Sequence, residues 1–184
     1  MRPRYSLARR RARQLLDEAG VTSAPVPLER LAERCRAAIR FEPFDGDLSG
    51  MVHCLPGGGG VIGVNSEHSK TRQRFTIAHE LGHLLLHSDE EFHIDEKRPL
   101  ARRDEVSSQA TDAREIEANQ FAAELLMPEA RVRESLEVFA EGDEDISVED
   151  AIGELARIYR VSQLAMTHRL TNLKIISSDE DVAG

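Results

Sequence analysis

Residues 70–87 read KTRQRFTIAHELGHLLLH, and this stretch decides the fold. Its apolar density, without any proline, predicts a buried helix. Within it, His79, Glu80 and His83 form the pattern H-E-x-x-H. Side chains four residues apart lie on one face of a helix, about 6 Å apart, so the two imidazoles can bind one tetrahedral zinc ion. Glu80 would then lie beside the metal, where a carboxylate can take a proton from zinc-bound water.

A second helical segment, residues 113–126 (AREIEANQFAAELL), contains two candidates for a third ligand. A hydrolytic zinc site needs three protein ligands and one position open to water. Glu115 and Glu117 both have the right chemistry. Glu115 is favoured because small residues on the same helix face, Ala118 and Ala122, would let this helix approach the first one closely.

Other polar side chains are candidates for supporting roles around this centre. Asn119 follows Glu115 by four residues and could hydrogen-bond a ligating group. His87 follows His83 by four residues, and we interpret it as a capping or supporting histidine rather than a ligand. A peptidase also needs a donor that stabilises the tetrahedral oxyanion. The candidates for that donor are His53, His93 and Tyr159.

The motif HELGHLLLH (79–87), followed by EIEANQFAAELLMP (115–128), resembles the ImmA/IrrE family of zinc metallopeptidases. Carried over position by position, the resemblance implies zinc ligands at His79, His83 and Glu115 and catalysis by Glu80. A site of two histidines and one glutamate could also hold Mn²⁺ or Fe²⁺. Members of the family cleave helix-turn-helix repressors at specific sites and thereby relieve repression of stress-response or mobile-element genes.

The resemblance therefore implies a zinc-dependent endopeptidase that cleaves a transcriptional repressor or an antitoxin-like protein. Two other classes stay open. One is a zinc-containing regulatory module that docks on protein or DNA without proteolysis, which salt-dependent DNA binding would indicate. The other is a zinc hydrolase of small amides, which activity on short substrates would indicate.

Three segments before the H-E-x-x-H helix have strand character, namely residues 39–44, 48–55 and 61–65. The glycines at 57–60 predict a flexible hairpin tip between the second and third strands. We therefore expect a zincin-like α+β fold, in which a small antiparallel sheet packs on the H-E-x-x-H helix and further helices surround it. Residues 49–52 are the predicted rim along which an extended substrate would pair.

Two helices are predicted before the sheet, and a long connector after the H-E-x-x-H helix. The first helix covers residues 6–19 and stops at Gly20, and the second runs from Leu28 through Ala38. The polar segment 88–112 joins the two ligand-bearing helices. Long loops are often functional, so this segment is a candidate lid over the site.

The C-terminal residues 147–173 have the apolar spacing of a helix-turn-helix, with the turn near residues 159–162. DNA readout needs several cations on the second helix. Because this helix has few, a packing or protein-docking role is favoured over DNA binding through residues 147–176. The predicted organisation is a zinc metallopeptidase domain (1–140), a helix-turn-helix-like subdomain (141–176) and a disordered tail (177–184).

Charge and composition exclude several classes of protein. The net charge of the 184 residues is −9, and the basic residues concentrate in residues 1–40, so the body of the protein is acidic. An acidic body argues against a general nucleic-acid binder. The sequence has no run of 18 apolar residues and no signal-peptide core, so we expect a soluble, cytoplasmic protein without membrane association. Cys35 and Cys54 are expected to be reduced thiols.

Overall fold

The computed structural model describes residues 2–45, 48–88, 92–95, 105–142 and 146–177. In residues 92–95, 105–112 and 141–142 it describes the backbone only. The helices are α1 (Tyr5–Glu18), α2 (Leu28–Arg34), α3 (Lys70–Leu86), α4 (Glu105–Leu126), α5 (Glu129–Gly142), α6 (Val148–Tyr159) and α7 (Gln163–Asn172). The strands are β1 (Ala37–Glu42), β2 (Gly50–Cys54), β3 (Gly60–Asn65) and β4 (Phe92–Asp95). The predicted α+β class is confirmed. None of the helices in these ranges could span a bilayer.

The strands form one mixed sheet in the order β1-β3-β2-β4. The predicted hairpin is confirmed, because β2 runs antiparallel to β3 with Cys54 opposite Gly60. The expectation of a purely antiparallel sheet is wrong, because β1 runs parallel to β3 with Ala37 opposite Gly60. Apolar periodicity reports which face of a strand is buried but not which strand lies beside it.

The second helix is shorter than predicted, because α2 ends at Arg34 and Ala38 belongs to β1. Arg36 has a left-handed backbone with φ 56°, which turns the chain out of the helix and into the strand. The glycine hairpin has a packing role. A Cβ atom on Gly59 would lie 2.4 Å from the carbonyl oxygen of Arg36, so only glycine lets the hairpin approach the start of β1.

The predicted substrate rim at residues 49–52 is wrong, because β2 is not an edge strand. It is covered on its other side by β4, with Gly50 opposite Asp95. The connector 88–112 therefore contains a strand, and its residues 105–112 already belong to α4. The candidate lid falls on residues 89–91 and 96–104, which lie outside the described residues.

Helix α3 packs on one face of the sheet through small and branched residues. Val52, Ile62 and Val64 are fully buried beneath it. Gly50 is the closest point, because a Cβ atom there would lie 2.3 Å from Cγ2 of Thr76 on α3. Burial of this apolar surface is the main force that fixes α3 on the sheet.

The C-terminal helices pack into the same hydrophobic core as the rest of the chain. Serine caps begin both, since Ser147 accepts from the Asp150 N–H (3.1 Å) and Ser162 from the Ala165 N–H (3.1 Å). Between α6 and α7 only residues 160–162 intervene, close to the predicted turn. Buried residues of both helices belong to the cluster that includes α1 and α3, so residues 146–177 have no separate core. Most of the predicted tail, residues 178–184, lies outside the described residues.

Candidate metal centre

Three potential ligands from two helices converge at the contact between α3 and α4. His79 and His83 come from α3, and their Nε2 atoms are 3.0 Å apart. Glu115 comes from α4, with Oε2 at 3.2 Å from His79 Nε2 and Oε1 at 3.3 Å from His83 Nε2. The ligand atoms of the three residues all lie within 4.8 Å of one another. The two histidines of the H-E-x-x-H motif and the downstream glutamate therefore lie together in the folded chain.

The donor set fits a zinc ion. Tetrahedral zinc with ligands at about 2.1 Å separates neighbouring ligand atoms by about 3.4 Å. The observed separations of 3.0–3.3 Å are close to that value. The side chains of His79 and His83 are buried, whereas that of Glu115 is 29% exposed. Three ligands with one partly open side are the arrangement of a hydrolytic rather than a structural zinc site.

Asn119 fixes the orientation of the first histidine. Its Oδ1 lies 3.1 Å from Nδ1 of His79. An amide oxygen can only accept, so Nδ1 of His79 carries the proton and Nε2 presents its lone pair toward His83 and Glu115. This contact is the supporting hydrogen bond that the spacing of Asn119 from Glu115 predicted.

Glu80 lies beside the ligand cluster, beneath β2. The residue is fully buried. A Cβ atom on Gly50 would lie 3.3 Å from Oε1 of Glu80, so the absence of a side chain at Gly50 gives this carboxylate its space. The role of Gly50 was missed from the sequence. A glycine inside a predicted strand looks only like a position that weakens the strand, and its contact with Glu80 crosses thirty positions of the chain.

His87 lies next to the ligands but not among them. It is the C-cap residue directly after α3, and its ring centroid is 5.5 Å from that of His83. Its Nε2 is 3.6 Å from Oε2 of Glu117, and His87 is almost fully buried. This position fits the capping or supporting role predicted for His87.

Glu117, the less favoured candidate for the third ligand, pairs with the N-terminal segment of the chain. It is fully buried. It accepts hydrogen bonds from the backbone N–H of Arg4 (2.7 Å) and from the guanidinium of Arg4 (2.8–3.2 Å). Burial alone would raise the pKa of Glu117, but the hydrogen bonds and charge of Arg4 outweigh it and hold that pKa below its usual value. Glu117 therefore anchors the N-terminal segment to α4.

The three candidates for the oxyanion donor lie in different parts of the structure. His53 is placed away from the site, because Gly50 and Val52 face α3 and strand alternation turns His53 to the opposite face of β2. Tyr159 is buried in the core, and its hydroxyl shares a 3.0 Å hydrogen bond with Ser135 of α5. Neither fits the predicted role. His93 lies in β4 opposite Val52, and its side chain is outside the described part of the structure.

Comparison with known proteins places the chain in a family. The model of Peptidase_M78, described as the IrrE N-terminal-like domain, matches residues 32–171. The chain belongs to this family. It is 36% identical over 120 residues to the radiation response metalloprotease IrrE of Deinococcus radiodurans, across 60% of this chain and 30% of that protein. The resemblance to the ImmA/IrrE metallopeptidases is thereby confirmed.

A solved structure shares the fold. A Mycobacterium tuberculosis transcriptional regulator superposes with a TM-score of 0.56 at 23% identity, over 89% of this chain and 46% of that one. At that identity the likeness concerns the fold alone. The chain thus spans about a third of IrrE and about half of the regulator.

Proposed function

We propose that the protein is a zinc-dependent endopeptidase that cleaves a specific protein substrate. The observation that carries this proposal is the convergence of His79, His83 and Glu115 at zinc-ligand separations, with Glu80 next to them in the sequence and buried beneath β2. Membership of a metallopeptidase family supports the same class of reaction.

The proposed mechanism assigns a task to each residue of the centre. His79, His83 and Glu115 would hold the ion, and Asn119 would keep the His79 ring in its ligating tautomer. When bound, zinc supplies Lewis-acid activation of a water molecule and of the scissile carbonyl. The Glu80 carboxylate takes the proton of the attacking water and delivers it to the nitrogen of the leaving amine. Its burial strengthens this electrostatic role, because competing solvent is excluded.

A helix-turn-helix repressor or antitoxin-like protein is the substrate that we propose. The similarity to a radiation response metalloprotease supports a role in a stress response, where cleavage of a repressor would switch genes on. The sheet offers a place for an extended segment of such a substrate. Among the described strands, β4 is the outermost one beside β2, so its other edge can add one more strand by backbone hydrogen bonds.

The test compares the new protein N-termini that the wild type and an inactive variant create by cleavage. Zinc-loaded wild-type protein and Glu80→Gln are each incubated with a lysate of the source organism, and protein N-termini are labelled and identified by mass spectrometry. We expect one or a few new N-termini in a helix-turn-helix protein, with the wild type only. The loss of the proton acceptor should slow cleavage by about 10²–10⁴-fold.

Metal analysis of Glu80→Gln is the control, because this variant should retain zinc. Cleavage by Glu80→Gln at the wild-type rate would contradict the mechanism. Efficient hydrolysis of short peptides of unrelated sequence by the wild type would instead indicate a hydrolase of small amides.

A further inference from the structure

A cavity lies away from the metal centre, where the first turns of α3 meet α2, β1 and the turn between α6 and α7. Its volume is about 570 Å³. This size falls within the range of small-molecule sites, about 300–1,000 Å³. The lining that matters for its chemistry consists of Glu29, Phe41, Lys70, Arg74, Arg160 and Val161. None of these residues takes part in the mechanism proposed above.

The cavity concentrates positive charge in an acidic protein. Lys70 and Arg74 come from α3 and Arg160 from the turn after α6, against the single carboxylate of Glu29. Within the described ranges, none of these three cations forms an ion pair. The amine of Lys70 donates to Gln73 (3.1 Å), and the guanidinium of Arg74 donates to the carbonyl oxygen of Val26 (2.9 Å). Three cations beside one carboxylate favour an anion as ligand.

Arg74 carries a partly buried charge in the lining of the cavity. Burial lowers the pKa of the Arg74 guanidinium, while Glu29 raises it and the like charge of Arg160 lowers it further. An anion in the cavity would offset the repulsion between the two arginines.

Arg160 occupies a backbone conformation that favours glycine. It ends α6 with φ 52° and ψ 50°, the left-handed cap at which glycine is the usual residue. Its side chain is exposed at the cavity and forms no hydrogen bond or ion pair among the described residues. Its charge suits the C-terminal end of α6, and its guanidinium presents five donors in the planar geometry that suits phosphate.

The lining also contains apolar residues. Phe41 on β1 is 46% exposed, although it is a large aromatic residue. Ile77, Ala156 and Val161 also line the cavity and are buried. An exposed aromatic ring beside clustered cations can stack on a planar base while the cations bind phosphate.

We propose that this cavity binds a nucleotide, with its phosphates on Lys70, Arg74 and Arg160 and its base against Phe41. The cavity brings α3, which carries His79 and His83, together with α6 and α7. Occupancy would therefore link the catalytic helix to the C-terminal helices. The binding itself is independent of the metal and of the proposed peptidase activity, so it can be tested without a substrate.

The test is calorimetric titration of the full chain at physiological salt with adenosine diphosphate, guanosine diphosphate and inorganic pyrophosphate. Arg160→Gly removes the guanidinium and suits the left-handed backbone, so the variant should fold. Lys174→Gly is the matched control, because Lys174 also has a left-handed backbone (φ 56°), is exposed and lies outside the cavity lining. We expect saturable one-to-one binding of at least one diphosphate, weakened about tenfold by Arg160→Gly and unchanged by Lys174→Gly.

Phe41→Ala separates a nucleotide from a free phosphate. It should weaken the binding of the nucleoside diphosphate several-fold and leave the binding of pyrophosphate unchanged, because only the base contacts the ring. Three results would overturn the proposal: no saturable binding of either nucleotide, equal weakening by Arg160→Gly and Lys174→Gly, or binding of duplex DNA without binding of nucleotides.

Discussion

At the scale of single residues, the metal centre depends on the side-chain amide of Asn119, which orients the imidazole ring of His79. Asn119 accepts from Nδ1 of His79 and so directs the Nε2 lone pair toward His83 and Glu115. Without this acceptor the His79 ring could rotate or change tautomer, and part of the metal's binding free energy would be spent on ordering it. Supporting hydrogen bonds of this kind typically change metal affinity by about 10–100-fold.

We therefore predict that Asn119→Ala weakens zinc affinity by about 10–100-fold while the fold is retained. The measurement is competition with a chromophoric zinc chelator, with circular dichroism as the check on folding. Asn172→Ala is the matched control, since Asn172 is exposed on α7 and distant in sequence from the ligands. Equal zinc affinity in Asn119→Ala and the wild type would show that Asn119 does not orient His79.

The site residues that could be predicted are those whose spacing within one helix encodes a shared face. His79 and His83 are four apart, and Asn119 follows Glu115 by four, so helical geometry relates each pair. The pairing of Glu117 with Arg4 could not be predicted, because 113 positions separate the two residues. No periodicity in the sequence reports such a contact.

At the scale of elements, the decisive contact is that between α3 and α4, the helices that carry the ligands. Gly82 lies at their closest approach, where a Cβ atom would be 3.1 Å from Cα of Ala118 and 3.2 Å from Cδ1 of Phe121. The small residues of α4 were predicted to allow this approach, and Ala118 and Ala122 are fully buried there. The matching role of Gly82 was not recognised, because glycine within a helix looks only like a weak helix former.

Gly82→Ala is predicted to lower the free energy of unfolding by about 1–3 kcal/mol, although alanine is the better helix former. The added methyl group would push α4 from α3 and separate Glu115 from the histidines, so zinc affinity should fall as well. Urea denaturation and chelator competition measure the two effects. Gly153→Ala on α6 is the control, because its Cβ atom would meet only the flexible side chain of Gln163 at 3.3 Å. A Gly82→Ala protein as stable as the control would contradict this packing argument.

The sequence predicted most helices of the described chain but only one of its three strand pairings, the hairpin of β2 and β3. The apolar pattern locates α3 and α6 to within a residue or two. Strand β4 was missed because its four residues lie in a polar segment, and the parallel partner of β1 was missed because pairing depends on the packing of the whole sheet.

At the scale of the whole molecule, one buried carboxylate joins the two ends of the chain. Glu124 on α4 accepts from Arg13 on α1 (2.7 Å) and from the buried Arg169 on α7. Burial alone would raise the pKa of Glu124, but the hydrogen bonds and charges of the two arginines outweigh it and hold that pKa below 4.5. The carboxylate is therefore bound more favourably in the folded than in the unfolded chain.

The sign of the resulting pH dependence follows from this lowered pKa. Stabilisation by Glu124 is complete above the unfolded value near 4.5 and is lost as pH falls through the lower folded value. In urea denaturation of chelator-treated protein between pH 6 and pH 3, Glu124→Gln should lose less stability than the wild type. At pH 6 the variant should already be less stable by roughly 3 kcal/mol, because Arg169 stays buried without its carboxylate. Parallel pH profiles for the two proteins would contradict this role.

The central claim is that His79, His83 and Glu115 together hold one zinc ion. The measurement that tests it most directly is the metal content of purified wild type, Glu115→Gln and the exposed control Glu137→Gln, by mass spectrometry of the elements after zinc is supplied. We predict one zinc per chain in the wild type and in Glu137→Gln, and a large loss in Glu115→Gln. A wild type without stoichiometric metal, or a Glu115→Gln protein with full zinc content, would contradict the account.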